Sequence, residues 1–213
     1  EFGQNIREDG PQGHVATKAG TPTMGGLLIF AGMSIPFFLF TRHHHTTFGL
    51  TVWFTTIACA LIGFWDDWMK ISNRRSLGLS GKRKMLALGI IAGVVSLVSH
   101  YFLKIDTSVV IPFMKSTFDL GPCYYLLLFF VLVGASNAVN LTDGLDGLAA
   151  GTVTISLMTF IGISFILWDR NLGSHFPLTI GTPGSREIAV FCAALAGACV
   201  GFLWFNAHPA KVF

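Results

Sequence analysis

Charge is scarce in this chain. Only 12% of its 213 residues are Asp, Glu, Lys or Arg, against roughly 25% in an ordinary soluble domain, and that shortage argues against a globule surrounded by water. The surplus of 14 Lys and Arg over 11 Asp and Glu leaves a formal net charge of +3, too small to mark a nucleic-acid binder, so no nucleic-acid partner is expected. A Walker motif is missing, since Gly81-Lys82 is followed by Arg83 and position 76 is Ser, which disfavours ATP hydrolysis. Cys-x-x-Cys spacing is missing too. Cys59, Cys192 and Cys199 lie in apolar stretches and Cys123 at the edge of one, so the cysteines read as small packing residues. The chain opens on Glu1-Phe2-Gly3-Gln4-Asn5, without a basic and then apolar leader, and stops at Lys211-Val212-Phe213. Both ends read as cuts within a longer protein.

What the chain does have is apolar length. Hydrophobic residues make up 52% of it, and the mean hydropathy is +0.63. Six stretches of 17 to 21 residues contain no Asp, Glu, Lys or Arg: Met24 to Thr41, Phe48 to Phe64, Met85 to Leu103, Pro122 to Val139, Gly147 to Leu167 and Ile188 to Phe205. At about 1.5 Å per helical residue each nearly crosses a hydrocarbon layer of roughly 30 Å. The expected fold is therefore an all-α integral membrane protein, a polytopic bundle of six transmembrane helices forming one domain over residues 1–213. Gly89-x-x-x-Gly93 and Gly197-x-x-x-Gly201 are expected to let neighbouring helices approach closely.

Six spans put both ends and the second and fourth connections on one side. That side holds Arg7, Lys18, Lys70, Arg74, Arg75, Lys82, Arg83, Lys84 and Lys211, while the other holds Arg42, Lys104, Lys115, Arg170 and Arg186. The positive-inside rule turns the more basic side to the cytoplasm. Its Arg74-Arg75 and Lys82-Arg83-Lys84 clusters also suit anionic lipid head groups.

The polar clusters gather on that same basic side. They are Lys18-Ala-Gly-Thr-Pro-Thr-Met-Gly-Gly26, Asp66-Asp67 with Lys70, the stretch from Asn137 to Asp146, and Asn206-Ala-His208-Pro209. Adjacent carboxylates at Asp66 and Asp67 repel unless a cation or Lys70 offsets them, and such hard oxygens suit Mg²⁺ carried with a phosphate substrate. Asn137, Asn140, Asp143 and Asp146 recur every third residue, which predicts a common face, with Gly144 and Gly147 free to bend the chain or approach a ligand. An EF-hand is excluded, because Thr154 stands where the twelfth-position Glu belongs. Thr21 to Gly26 reads either as an anion site at a helix start or as an ordinary helix entry with Pro in the first turn. The run His43 to His45 lies on the opposite side from the carboxylates and reads as a solvated loop.

In these residues the sequence resembles the phospho-N-acetylmuramoyl-pentapeptide transferases, or translocase I enzymes, of the polyprenyl-phosphate phosphosugar transferase superfamily. The resemblance rests on Asp9-Gly-Pro11, Lys18 to Gly26, Gly63-Phe-Trp-Asp-Asp67, Asn137 to Leu148, Gly201 to Asn206 and Pro209 to Phe213, which follow in the family's order. It implies a bacterial inner-membrane protein of ten spans, of which these six are the second to seventh. It implies a reaction of peptidoglycan synthesis, and so of cell-wall biogenesis, shape and division. Phospho-MurNAc-pentapeptide passes from UDP-MurNAc-pentapeptide to undecaprenyl phosphate, with Mg²⁺, giving lipid I and UMP at the cytoplasmic face. Asp66, Asp67 and Asp143 match catalytic positions, Asp66 and Asp67 with the metal. Lys18, Thr23, Lys70, Asn140, Gly144, Leu145, Asp146, Asn206 and Phe213 match positions lining the nucleotide and phosphate cleft, with Phe213 stacking on uracil. Family members continue past this Phe with Met-Gly-Asp, so a further metal-holding Asp is expected beyond Phe213, and these 213 residues alone are expected to be inactive. Membrane lipids are further partners, and a homodimer is compatible with the resemblance.

Two other readings stand beside it. A sister transferase would use UDP-GlcNAc, although Thr21 to Gly26 and Leu141-Thr142 look like the pentapeptide branch. A transporter would need polar groups along a path through the bilayer, and the six stretches offer hydroxyls, His100 and backbone but no carboxylate. For the transfer itself, a lipid phosphate attacking directly and a covalent Asp intermediate are the two routes, and direct attack is favoured because a phosphate monoester is already largely dianionic near pH 7.

Overall fold

A computed structural model describes residues 24–42, 46–73, 78–111, 116–169 and 184–212. Six helices carry the described chain: α1 Gly25–Thr41, α2 Thr47–Ser72, α3 Gly81–Tyr101, α4 Cys123–Thr142, α5 Leu148–Trp168 and α6 Ser185–Asn206. Each falls on one of the six apolar stretches. Five are long and apolar enough to cross a membrane, and α1 is a shorter apolar helix of 17 residues. Large apolar side chains project outward along them, among them Ile35, Phe40, Phe54, Ile90, Phe130 and Ile155, all at least 60% exposed. A soluble protein would not leave them so, whereas in a bilayer lipid covers them. The chain is a multi-pass membrane protein.

Helix α6 sits at the middle, packed on α5, α1 and α2, while α3 pairs with α4. The core between α1, α5 and α6 is built from Met33, Phe37, Leu157, Phe191, Cys192 and Ala196. Phe37 meets Phe191 edge to face, with ring centroids 5.8 Å apart. Closeness of α1 to α6 depends on Gly32, where an added Cβ would lie 3.3 Å from that of Ala198. Of the two Gly-x-x-x-Gly pairs, only Gly89 lies at a close approach, its Cβ position being 3.3 Å from the Phe129 ring on α4; Gly93, Gly197 and Gly201 face open space. The spacing alone could not show which glycines meet a neighbour, because that depends on how each helix is turned about its axis.

The chain is not wholly helical. Between α3 and α4 lies an antiparallel hairpin, β1 Ser108–Val110 and β2 Thr117–Asp119, with Val109 opposite Phe118. Its strands are three residues each, too short for an alternation pattern to stand out. The Asp119 carboxylate ties the end by accepting from the Thr107 hydroxyl at 2.5 Å and the Gly121 N–H at 2.9 Å. These bonds hold that carboxyl below the usual range.

Several of the elements also outrun their apolar stretches. α2 continues to Ser72 and α4 to Thr142, so Asp66, Asp67, Lys70 and Asn140 lie on closing helical turns and not in flanking loops. Helical hydrogen bonding simply carries on past the last apolar residue until Asn73 and Asp143 end it.

Candidate functional site

The end of the bundle where α2, α4 and α6 finish and α3 and α5 begin gathers the polar residues. Asp66 is almost enclosed there. Its Oδ1 accepts the Leu79 N–H at 2.7 Å, and its Oδ2 lies 2.7 Å from Lys70 Nζ, one helical turn further on. The same Nζ is 2.9 Å from Oδ1 of Asp67. One ammonium group thus offsets both carboxylates, as the adjacent charges require. The 78–79 segment comes so close because position 78 is Gly: a Cβ there would collide with the Asp66 carboxylate.

The two aspartates differ in exposure. Asp66 keeps 12% of its side chain in solvent and Asp67 47%. Asp143, which caps α4 with its N–H on the Val139 carbonyl at 3.1 Å, faces the same region. Burial and the negative charge of Asp67 together push its carboxyl above the usual range, against the opposing pull of Lys70. Asp67, which shares Lys70 with Asp66, and Asp143 therefore make a spot of net negative potential.

That spot decides whether Mg²⁺ fits these residues. Among the described residues no three His, Cys, Asp or Glu side chains group closely enough to hold a metal alone. Mg²⁺ usually takes one or two carboxylates and completes its shell with water and substrate phosphate, so the exposed Asp67 with Asp143 suits it. Asp66 suits it less, because the Leu79 N–H and Lys70 already engage both of its oxygens.

Of the four residues spaced by three, Asn137 and Asn140 share a face and Asp146 does not join them. Asn137 turns to α3, donating to the Val133 carbonyl at 2.8 Å and lying 3.7 Å from Met85 Sδ. Asn140 also meets α3, its Oδ1 accepting from Lys84 Nζ at 2.8 Å. Asp146 points instead to the segment after α6, where its Oδ2 lies 3.1 Å from His208 Nδ1 and accepts the Ala210 N–H at 3.2 Å. The cause is that α4 stops at Thr142; beyond it the turn swings round, and helical periodicity no longer governs direction. Gly144 and Leu145 form the exposed part of that turn, with Leu145 54% exposed.

Asn206 ends α6 in a buried position, its Oδ1 accepting the Gly147 N–H at 3.0 Å and its Nδ2 donating to the Val212 carbonyl at 2.9 Å. Lys18, Thr23 and Phe213, with Asp9 to Pro11, His43 to His45 and Arg74-Arg75, lie outside the described residues. Of the Lys18 to Gly26 motif the structure shows only its end. There Met24 has φ +76°, unusual for a residue with a side chain.

Some of the contacting residues carry little signal in the sequence. Lys84 was legible only as one of a basic cluster, and Gly78 with Leu79 had no signal beyond a Gly in a connection. Another such residue, outside the site, lies at the far end of the bundle. Glu187 is 4% exposed and accepts the Thr46 N–H at 2.7 Å and the Thr46 hydroxyl. It had stood unnoticed just outside an apolar stretch.

Comparison with known proteins finds clear relatives. The profile of Glycosyl transferase family 4 matches residues 49–213, and phospho-N-acetylmuramoyl-pentapeptide-transferase signature 1 matches residues 18–30. A phospho-N-acetylmuramoyl-pentapeptide-transferase of Rickettsia bellii is 41% identical over 215 residues, covering 100% of this chain and 59% of the relative. Those of Bacillus pumilus and Rubrobacter xylanophilus are 42% and 38% identical, each covering 100% of this chain and 61% of the relative. The chain thus spans about 60% of the length of these curated relatives. The family match over residues 49–213, the signature and the identity along the whole chain show that the chain belongs to glycosyl transferase family 4, on its phospho-N-acetylmuramoyl-pentapeptide-transferase branch.

Proposed function

We propose that this chain carries much of the site of a Mg²⁺-dependent transferase of the bacterial inner membrane. Phospho-MurNAc-pentapeptide would pass from UDP-MurNAc-pentapeptide to undecaprenyl phosphate at the cytoplasmic face, giving lipid I and UMP. The observation that carries this reading is the pairing of Lys70 with Asp66 and Asp67 beside Asp143, whose carboxyl is held above its usual range, at the end of a helix bundle where an aqueous substrate and a lipid can meet.

Phosphoryl transfer needs positioning and charge neutralisation more than covalent chemistry from the protein. Asp66, held by Leu79 and Lys70, fixes the ammonium group next to Asp67. Lys70 balances the carboxylates and stands ready for a phosphate oxygen. Asp67 and Asp143 hold the metal when it is bound, and the metal supplies charge neutralisation at the diphosphate. An oxygen of the lipid phosphate attacks the sugar-linked β-phosphorus. The P–O bond to UMP breaks, and UMP leaves with the electron pair. The attacking phosphate is already largely dianionic, so no side chain has to remove a proton.

The test is UMP release by the uninterrupted gene product in detergent, with undecaprenyl phosphate and either UDP-MurNAc-pentapeptide or UDP-GlcNAc. The expected result is release with the pentapeptide substrate only, dependent on Mg²⁺ and reduced about 100-fold to 1000-fold by Asp67→Asn. Release with UDP-GlcNAc would move the protein to a sister reaction, and none with either would sink the transferase reading. UMP exchange into the UDP-sugar without lipid would replace direct attack by a covalent route.

A further inference from the structure

The basic run at the start of α3 is divided by the turn of the helix. Lys84 faces inward, its Nζ donating to Asn140 Oδ1 at 2.8 Å, on the side of α3 that buries Leu88, Ala92 and Ser99. Of the run, only Lys84 is close enough to act on the Asp66 carboxylate. Lys82 and Arg83 are exposed, and among the described residues no carboxylate pairs with either. They also stand where positive charge is least favoured. The first turn of α3 contains no acidic residue, and the N-cap Ser80 makes no side-chain bond to the helix, so these cations add to the positive end of the helix dipole. An anion from outside the protein would offset both.

Below these cations the helix is apolar and open. Leu86, Ile90, Val94, Leu97 and Tyr101 follow Lys82 at intervals of four or three, so they share its face, and all are more than half exposed. α3 packs on α2 and α4 through its other side. At about 1.5 Å per residue, the helix from Lys82 to Tyr101 rises about 29 Å, close to a hydrocarbon layer of roughly 30 Å. Lys82 and Arg83 therefore stand at the head-group level of one leaflet, Leu86 and Ile90 beside its acyl chains, and Tyr101 at the opposite interface.

We propose that the outer face of α3 is a binding site for an anionic phospholipid, whose phosphate lies between Lys82 and Arg83 and whose acyl chains run along Leu86 and Ile90. Charge selects this lipid. Two cations without a protein counter-ion favour a phosphatidylglycerol head group over a zwitterionic one, while the apolar face below accepts any phospholipid alike. The inference does not rest on the transferase reading, because the face it uses is turned away from Asp66.

Photoactivatable phosphatidylglycerol and phosphatidylcholine, each with its reactive group on an acyl chain, test the site in nanodiscs that hold the uninterrupted gene product. Labelling is measured relative to α5, whose sequence contains no Lys or Arg. On that scale the phosphatidylglycerol probe should label the 86–94 stretch on the order of tenfold more than the phosphatidylcholine probe. Lys82→Gln combined with Arg83→Gln should bring the two probes within about twofold of each other, whereas Lys82→Arg combined with Arg83→Lys, which keeps both charges, should retain the preference. Thermal unfolding in lipid-free detergent checks that the Gln pair folds; if it does not, Lys82→Gln alone should reduce the preference to about threefold. Equal labelling by the two probes in the unmodified protein, or a preference that survives the Gln pair, would overturn the proposal. So would displacement of the label by equimolar undecaprenyl phosphate, which would assign the face to the lipid substrate. Absence of label at 86–94 from both probes would overturn it too, since the face would then be covered by protein.

Discussion

Asp66 is nearly enclosed by the Leu79 N–H and Lys70, while Asp67 beside it leaves about half of its side chain in solvent. A sequence reader sees two equivalent carboxylates. Their division arises because successive residues on a helix point about 100° apart, so one faces the 78–79 segment and the other the site. Asp143 adds a testable consequence. Its carboxyl is raised by burial and by Asp67, so the folded protein holds that proton more tightly than the unfolded chain. The stability contributed by the protonated form is complete below the ordinary Asp value and is lost as pH rises through the raised one. Asp143→Asn cannot titrate. In metal-free detergent its thermal midpoint should therefore gain on that of the unmodified protein as pH rises across that window, then level off. A difference that stays flat with pH would remove the repulsion assigned to Asp67 and Asp143. Added Mg²⁺ should stabilise the unmodified protein and leave Asp143→Asn less affected.

At the scale of elements, the apolar stretches located all six helices but not their ends. Apolarity marks what lies in lipid, whereas backbone hydrogen bonding decides where a helix stops. The last turns of α2 and α4 accordingly carry site residues that a hydropathy boundary places in loops. The hairpin was illegible for a different reason, since its cross-strand bonds join residues 108–110 to 117–119 and nothing local specifies that pairing. Glu187 is a third case. It lies in the first turn of α6, where a carboxylate favours the helix's own N-terminus, and it also takes the Thr46 N–H that opens α2. Gly49 makes room, since a Cβ there would press on the Glu187 carboxylate. Glu187→Ala leaves the Thr46 N–H without that acceptor and should lower stability by about 1–3 kcal/mol. Thermal unfolding in detergent measures this. Because the clasp is at the far end from the aspartates, KM for the UDP-sugar should stay unchanged, and a shift in KM would mean that the two ends are coupled.

For the whole molecule, the orientation argued from nine basic residues on one side against five on the other has a direct check in the native cysteines. Cys123 is exposed at the start of α4, while Cys192 and Cys199 are buried. A membrane-impermeant maleimide added outside intact spheroplasts should label Cys123. An Asn73→Cys variant, at the end of α2 near the aspartates, should gain label only after permeabilisation. The opposite pattern would invert the membrane orientation and move the site away from the cytoplasm. Membrane class, the places of the six helices and the gathering of aspartates at one end of the bundle follow from composition and order along the chain, because insertion in lipid is governed by apolar length. The packing of α6 among α1, α2 and α5, the choice of Gly32 and Gly89 as close contacts, and the folding back of the 206–212 segment do not follow from that order. They join residues far apart in sequence, Asp146 with Ala210 and Gly147 with Asn206, and such contacts arise only when side-chain shape and hydrogen-bond satisfaction select one arrangement of helices that lipid would accept in many.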